Sequence, residues 1–141
     1  MRLSTKSRYG TRMLIDIAEN YHDGPVSVAE IASRTGISEK YMEKVIRRLK
    51  KAGLVLSRRG PKGGHVLSRP ADSITVGDIV RALEDWVVLK GCSITKDTCA
   101  SCSRVETCPT KDVWEKASAA MLDLLDTYTL QSLLKDSSQP R

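Results

Sequence analysis

Every cysteine of this chain falls in one stretch, CSITKDTCASCSRVETCPTKDVW, with the spacing Cys92-x6-Cys99-x2-Cys102-x5-Cys108. The neighbours are Ser, Thr, Lys, Asp and Glu, so these are not the inert thiols of an apolar core. Thiolates are soft ligands, and four of them in a polar, reducing setting point to a metal ion, an iron–sulfur cluster or a thiol–disulfide switch. Zinc accepts four cysteines in a tetrahedron, and structural zinc motifs commonly pair two Cys-x2-Cys units. Only one such unit is present here, Cys99 with Cys102. The wider spacings suit a cluster whose irons are held by thiolates on several sides, so a cluster is preferred and zinc is the alternative. Neither histidine reads as a ligand: His22 falls in a helix-ending turn and His65 in a predicted hairpin.

The other residues able to do chemistry are cations. Residues 1–70 carry 15 Lys/Arg and 6 Asp/Glu, whereas residues 71–141 carry 8 and 11, so the net charge of +6 hides a basic front half and a mildly acidic rear half. A basic half suits a polyanion, but a solvated surface with chance asymmetry explains charge alone equally well. Where the cations sit has to decide.

The elements that position them are legible from period and punctuation. Apolar residues Tyr9, Met13, Leu14, Ile17, Ala18 and Tyr21 predict a helix from Ser4 to about Tyr21, stopped by HDGP. Ser27 and Glu30 form a capping box ahead of VAEIASRT, and Gly36 permits a tight turn. Ser38 is the expected N-cap of EKYMEKVIRRLKK, which buries Met42, Val45, Ile46 and Leu49 and turns Lys40, Lys44, Arg47, Arg48, Lys50 and Lys51 outward. Two β-prone runs, LVLS and HVLS, flank RRGPKGG, a hairpin tip carrying Arg58, Arg59 and Lys62. Thr75 and Asp78 cap VGDIVRALED, and a long helix runs from Pro109 to about Asp126, followed by a short apolar turn and a polar tail.

Helix, helix, turn, helix, hairpin is the order of a winged helix-turn-helix, and Ala32 and Gly36 suit its close helix–helix turn. The fold class expected is mostly α with a small β-hairpin wing, plus a long C-terminal helix. Its parts are a DNA-binding unit at 1–85, a cysteine-containing loop at 86–108, the long helix and turn at 109–134, and a disordered tail at 135–141. The cations lie on the third helix and the hairpin tip, the elements that enter the major groove and reach the minor groove of DNA. Lys40, Lys44 and Arg47 would neutralise phosphates, which gives affinity without sequence information. Ser38 to Lys44 would face base edges, with Tyr41 stacking or hydrogen-bonding and Glu43 accepting from a cytosine amino group. Glu43 pairing with Arg47 at i,i+4 on a solvated face is the open alternative. Arg58 and Arg59 suit a narrow, electronegative minor groove.

The rest of the sequence excludes other classes. The chain is about one domain long, and with no Phe its core must be aliphatic. No apolar run approaches the roughly 20 residues of a membrane span, and the basic N-terminus has no apolar signal core behind it, so a cytoplasmic protein is expected. No nucleophile–base pair or phosphate-cradling glycine loop is present, so an enzyme is not expected.

Together, MRLSTKSRYG, GISEKYMEKVIRRLKKAGLV, RRGPKGGHVLSRPADSITVGDIVRALE and C…CPTKDVW resemble the family of winged-helix regulators to which IscR, NsrR and CymR belong, over nearly all of residues 1–134. The resemblance implies a homodimer built on the long helix and a palindromic double-stranded operator. It also implies DNA contacts from Tyr41, Glu43 and Arg59, with Glu43 discriminating a base. Cluster-binding members use three loop cysteines and a variable fourth ligand. Cys92 and Cys108 match the outer two, and either Cys99 or Cys102 fits the middle one. Two departures follow: Lys111 stands where IscR-like proteins place a histidine, and Arg8 and Arg12 occupy the first-helix region that supplies a ligand elsewhere. The extra cysteine is therefore expected to supply the fourth ligand, and [2Fe–2S] is preferred over [4Fe–4S]. Some members dock on an enzyme of cysteine synthesis, which places such an enzyme among the partners the resemblance allows.

Overall fold

The computed structural model describes residues 4–21, 24–84 and 107–137. Helix α1 spans Thr5–Asn20, and Ser4 caps it by accepting from the Lys6 amide at 3.1 Å. Its apolar face buries Met13, Leu14 and Ile17, whereas Tyr21 at its end is exposed. Helix α2 spans Val28–Thr35 behind the expected capping box: the Glu30 amide donates to Ser27 Oγ at 3.2 Å, and the Ser27 amide donates to Glu30 Oε2 at 2.7 Å. Gly36 then takes φ 70°, a left-handed conformation that closes α2 with a bond to the Ala32 carbonyl and turns the chain into the next helix.

Helix α3 spans Glu39–Lys51 and buries the expected stripe of Met42, Val45, Ile46 and Leu49. The hairpin follows directly, with β1 at Val55–Arg58 and β2 at Gly64–Leu67. The strands pair antiparallel in the register Val55↔Leu67 to Arg58↔Gly64, one residue C-terminal on β1 and one N-terminal on β2 relative to the runs expected from sequence. The shift arises because Leu54 serves the turn: its amide bonds back to Leu49, and its carbonyl accepts from Ser68. Val26 adds a short third rung by exchanging backbone bonds with His65 at 3.0 and 2.7 Å.

A single 3-10 turn, Ala71–Ser73, leads to helix α4, Val76–Leu83, capped by the Thr75–Asp78 box. Helix α5 spans Lys111–Asp126, starting two residues after Pro109, with Thr110 in the N-cap position. Helix α6 spans Leu130–Ser137. Thr129 and Ser132 cap α6 reciprocally, each amide donating to the other's hydroxyl at 3.1 Å, and no proline interrupts it before Pro140. Residues 135–137 therefore continue a helix instead of opening the disordered tail expected at 135–141, and residues 138–141 lie outside the described residues.

One aliphatic core joins Met13, Leu14 and Ile17 of α1 to Ile31, the α3 stripe, Leu54, Val55, Ile79 and Leu83, with Leu130 of α6 closing it. A close approach within this core is at Gly10. A Cβ there would stand 2.2 Å from Leu83 Cδ1, so α1 and α4 meet only because that position has no side chain. The Gly10→Ala variant should lose about 1–3 kcal/mol in urea unfolding from overpacking, although alanine is the better helix former by roughly 1 kcal/mol. A stabilised Gly10→Ala protein would contradict this packing. Burial, with Lys50 close by, holds the His65 imidazole below its ordinary range. The unfolded chain then takes the proton first on acidification, so stability should fall from about pH 7 to pH 5. His65→Gln should lose less over the same interval in parallel denaturation series, and equal losses would remove histidine from the account.

Candidate nucleic-acid interface and sensor stretch

The burial of α3 decides which of its side chains are available. Because Met42, Val45, Ile46 and Leu49 face the core, Lys40, Glu43, Lys44 and Arg47 project outward and are exposed. Ser38 sits at the N-cap in extended conformation (φ −60°, ψ 138°), and its hydroxyl makes no capping bond. Arg47 Nε donates to the backbone carbonyl of Glu43 at 3.2 Å, not to its carboxylate. Among the described residues the Glu43 carboxylate has no ion-pair partner, so the i,i+4 pair weighed from sequence is not the arrangement found.

Tyr41 is placed differently from its neighbours. It is half-buried and packs on the core edge, its ring meeting Tyr9 edge-on with centroids 5.6 Å apart at 87°. Its hydroxyl lies 3.4 Å from Thr5 Oγ1 in the first turn of α1. Tyr41 therefore braces the start of α3 as well as standing beside the exposed residues.

In the wing, Arg58 ends β1 opposite Gly64, and Arg59 and Lys62 are exposed at the tip. The tip is closed by a turn in which the Gly63 amide donates to the Gly60 carbonyl at 2.9 Å across Pro61 and Lys62. Arg58, Arg59 and Lys62 form no salt bridge among the described residues, which leaves three cations to a solvent-facing polyanion. The wing is tied to the C-terminal end of α3 by the Leu54 amide, which donates to the Leu49 carbonyl at 3.0 Å.

Of the four cysteines the sequence singles out, Cys92, Cys99 and Cys102 lie outside the described residues, as does His22. Cys108 is half-buried in the turn before α5, its Sγ 3.3 Å from Thr110 Oγ1. Cys108 stands two residues before Thr110, the N-cap position of α5. Lys111 Nζ lies 3.9 Å from Glu115 Oε1. Arg8 and Arg12 are exposed on α1.

Two features escaped the sequence. Asp126 at the end of α5 accepts from Thr75 Oγ1 at 3.0 Å and from both terminal nitrogens of Arg81, one at 2.8 Å, and so clamps α5 to α4. The Val76 amide donates to the Tyr128 carbonyl at 2.8 Å, and the Leu130 amide donates to Ile74 at 2.9 Å, completing that joint. The second is the buried Glu84, which accepts from Ser4 and Ser7. Both link residues 45 to 80 positions apart, and no local pattern announces such pairs.

Residues 3–136 match the Rrf2 family, described as iron-dependent transcriptional regulators. The chain is 46% identical over 138 residues to the protein rrf2 of Nitratidesulfovibrio vulgaris Hildenborough, covering 98% of this chain and 90% of that one. Among solved structures, an IscR from T. potens is similar with a TM-score of 0.75 at 38% identity, covering 100% of this chain and 93% of that one. The structure of CymR, the global cysteine regulator of B. subtilis, is similar with a TM-score of 0.72 at 34% identity, covering 96% and 97%. A winged helix with exposed cations on its third helix and wing, matched over nearly its whole length by regulators of transcription, leads to one conclusion: this chain belongs to the Rrf2 family of DNA-binding transcriptional regulators and is not an enzyme.

Proposed function

We propose that the protein is a homodimeric regulator whose hold on a palindromic operator is set by an iron–sulfur cluster carried on Cys92, Cys99, Cys102 and Cys108. The observation that carries the DNA part is the sorting on α3: an apolar stripe in the core, and Ser38, Lys40, Glu43, Lys44 and Arg47 outside. Lys40, Lys44 and Arg47 meet phosphates, and Glu43 accepts from a cytosine amino group in the major groove. Tyr41 fixes the start of α3, and Arg58, Arg59 and Lys62 reach the minor groove and its phosphates.

The second copy is supported by α5. Val113, Ala117, Met121 and Leu124 fall on one stripe with Trp114 beside it; within one chain α5 buries Ser118 and Leu122 and half-buries Met121 against Val80 and Leu122, which leaves Val113, Trp114 and Leu124 outside. Val113, Trp114 and Leu124 are 60%, 49% and 59% exposed, and burying such side chains contributes roughly 1.5–3 kcal/mol each. Twofold pairing of this stripe removes it from water on both protomers. The clamp of Asp126 on Thr75 and Arg81 then carries any change between the two α5 helices into α4 and the reading unit. A dimer needs its recognition helices about 34–36 Å apart, so small shifts change affinity strongly.

The four cysteines fit an all-thiolate cluster better than a histidine-containing site, because Cys108 lies in the polar turn before α5 and Lys111 supplies no ligand. When bound, the cluster supplies a centre that responds to iron–sulfur supply, oxidants or nitric oxide, and all-thiolate ligation lowers its reduction potential. We prefer [2Fe–2S] over [4Fe–4S]. The second reading is a zinc site or thiol switch on the same cysteines, favoured by the one Cys-x2-Cys pair, Cys99 and Cys102, a spacing that structural zinc sites use.

Two measurements test these readings. Lys44→Ala and Arg47→Ala should each weaken binding to every duplex tried and reduce the slope of log affinity against log salt by about 1. A slope unchanged in both variants would remove α3 from the phosphates. Protein purified without oxygen should absorb in the visible and contain iron and sulfide, and each of the four Cys→Ala changes should lower that content. Zinc without iron or sulfide would favour the second reading.

A further inference from the structure

Glu84 ends α4, and only 5% of it is exposed. A buried carboxylate persists only where hydrogen bonds replace its hydration. Its Oε1 accepts from the Ser4 amide at 3.0 Å, from Ser4 Oγ at 2.5 Å and from Ser7 Oγ at 2.6 Å. These three donors belong to the cap and first turn of α1, and the same Ser4 hydroxyl accepts from the Lys6 amide. One residue on, Thr5 Oγ1 lies 3.4 Å from the Tyr41 hydroxyl, and one turn on, Tyr9 meets the Tyr41 ring edge-on. A contiguous set of contacts thus runs from the end of α4, through the first two turns of α1, to the N-terminal turn of α3. That turn and the residue after it carry Ser38 and Glu43, proposed to face the bases.

We infer that Glu84 is a positioning residue for DNA reading: by holding the first turn of α1, its carboxylate seats Tyr41 and sets the angle at which α3 presents its N-terminal turn. This rests on α3 being the reading helix. The competing role is a stitch that joins two distant segments and contributes stability alone. The two differ in what they do to discrimination. A misplaced reading helix loses base contacts that need accurate geometry but keeps phosphate contacts, which tolerate displacement. A mere stitch leaves the folded protein equally selective.

The test uses the full chain without cluster, and two probes: a duplex selected by the wild-type protein from a random-sequence pool, and the same duplex scrambled. Affinities are read by fluorescence anisotropy, and Tyr41 is followed by the 19F resonance of 3-fluorotyrosine. Glu84→Ala should weaken binding to the selected duplex by about tenfold or more while leaving the scrambled duplex within roughly twofold, as loss of base-specific but not phosphate contacts requires. It should also move the Tyr41 resonance. Glu84→Gln, which keeps an accepting oxygen, should recover most of both. Equal losses on the two duplexes, or an unmoved resonance with lowered stability only, would overturn the inference. If Glu84→Ala does not fold, Ser7→Ala removes one donor and faces the same comparisons. A wild-type protein that enriches no duplex would instead overturn the assignment of α3, and the brace would then be judged on the fluorine resonance.

Discussion

The structure depends on one stripe of side chains on α3. Met42, Val45, Ile46 and Leu49 are between 0% and 4% exposed, and they touch residues from α1, α2, α4 and the wing at once. Fixing that stripe fixes the rotation of α3 about its axis, and the rotation decides that Lys40, Glu43, Lys44 and Arg47 face solvent. Helix propensity alone would not do this, because a helix of thirteen residues is marginal in water without tertiary packing. The same burial therefore sets both the stability of the unit and the identity of its outward surface.

Around that stripe the fold solves a transmission problem. Three joints tie α3 to the rest: the Leu54–Leu49 turn to the wing, the Tyr41 contacts to α1, and the shared core with Ile79 and Leu83 of α4. α4 in turn is clamped to α5 by Thr75, Arg81 and Asp126. Arg81 holds the Asp126 carboxyl below its ordinary range, so the clamp stays ionised at neutral pH. The pair is partly solvated and contributes modestly to stability. Its value is geometric, because it holds the end of the long helix against the unit that carries the cations.

Much of this was legible in the sequence, and the reasons are local. The capping boxes at Ser27–Glu30 and Thr75–Asp78, the left-handed Gly36 and the apolar stripe of α3 all depend on residues within four positions of one another, where pattern reading is strong. The strands were displaced by one residue because Leu54 answers to a backbone bond with Leu49, which a β-prone run does not reveal. Polarity alone predicts disorder from residue 135, yet Thr129 and Ser132 cap a helix that runs through Ser137. The packing of Tyr41 on Tyr9 depends on α1 and α3 meeting across the core, which no local pattern reveals. The cysteine spacing identified candidate ligands from chemistry alone, and of the four only Cys108 falls among the described residues.

The central claim is that the outward face of α3 reads base edges, with Glu43 as its discriminating group. The most direct measurement is selection from random-sequence duplexes, carried out in parallel with wild-type and Glu43→Ala protein. The account predicts that the wild type enriches a twofold-symmetric sequence with a fixed C·G pair in each half-site. It also predicts that the variant relaxes that position while the flanking preferences and salt dependence persist. Recovery of the same fixed pair by both proteins would contradict it.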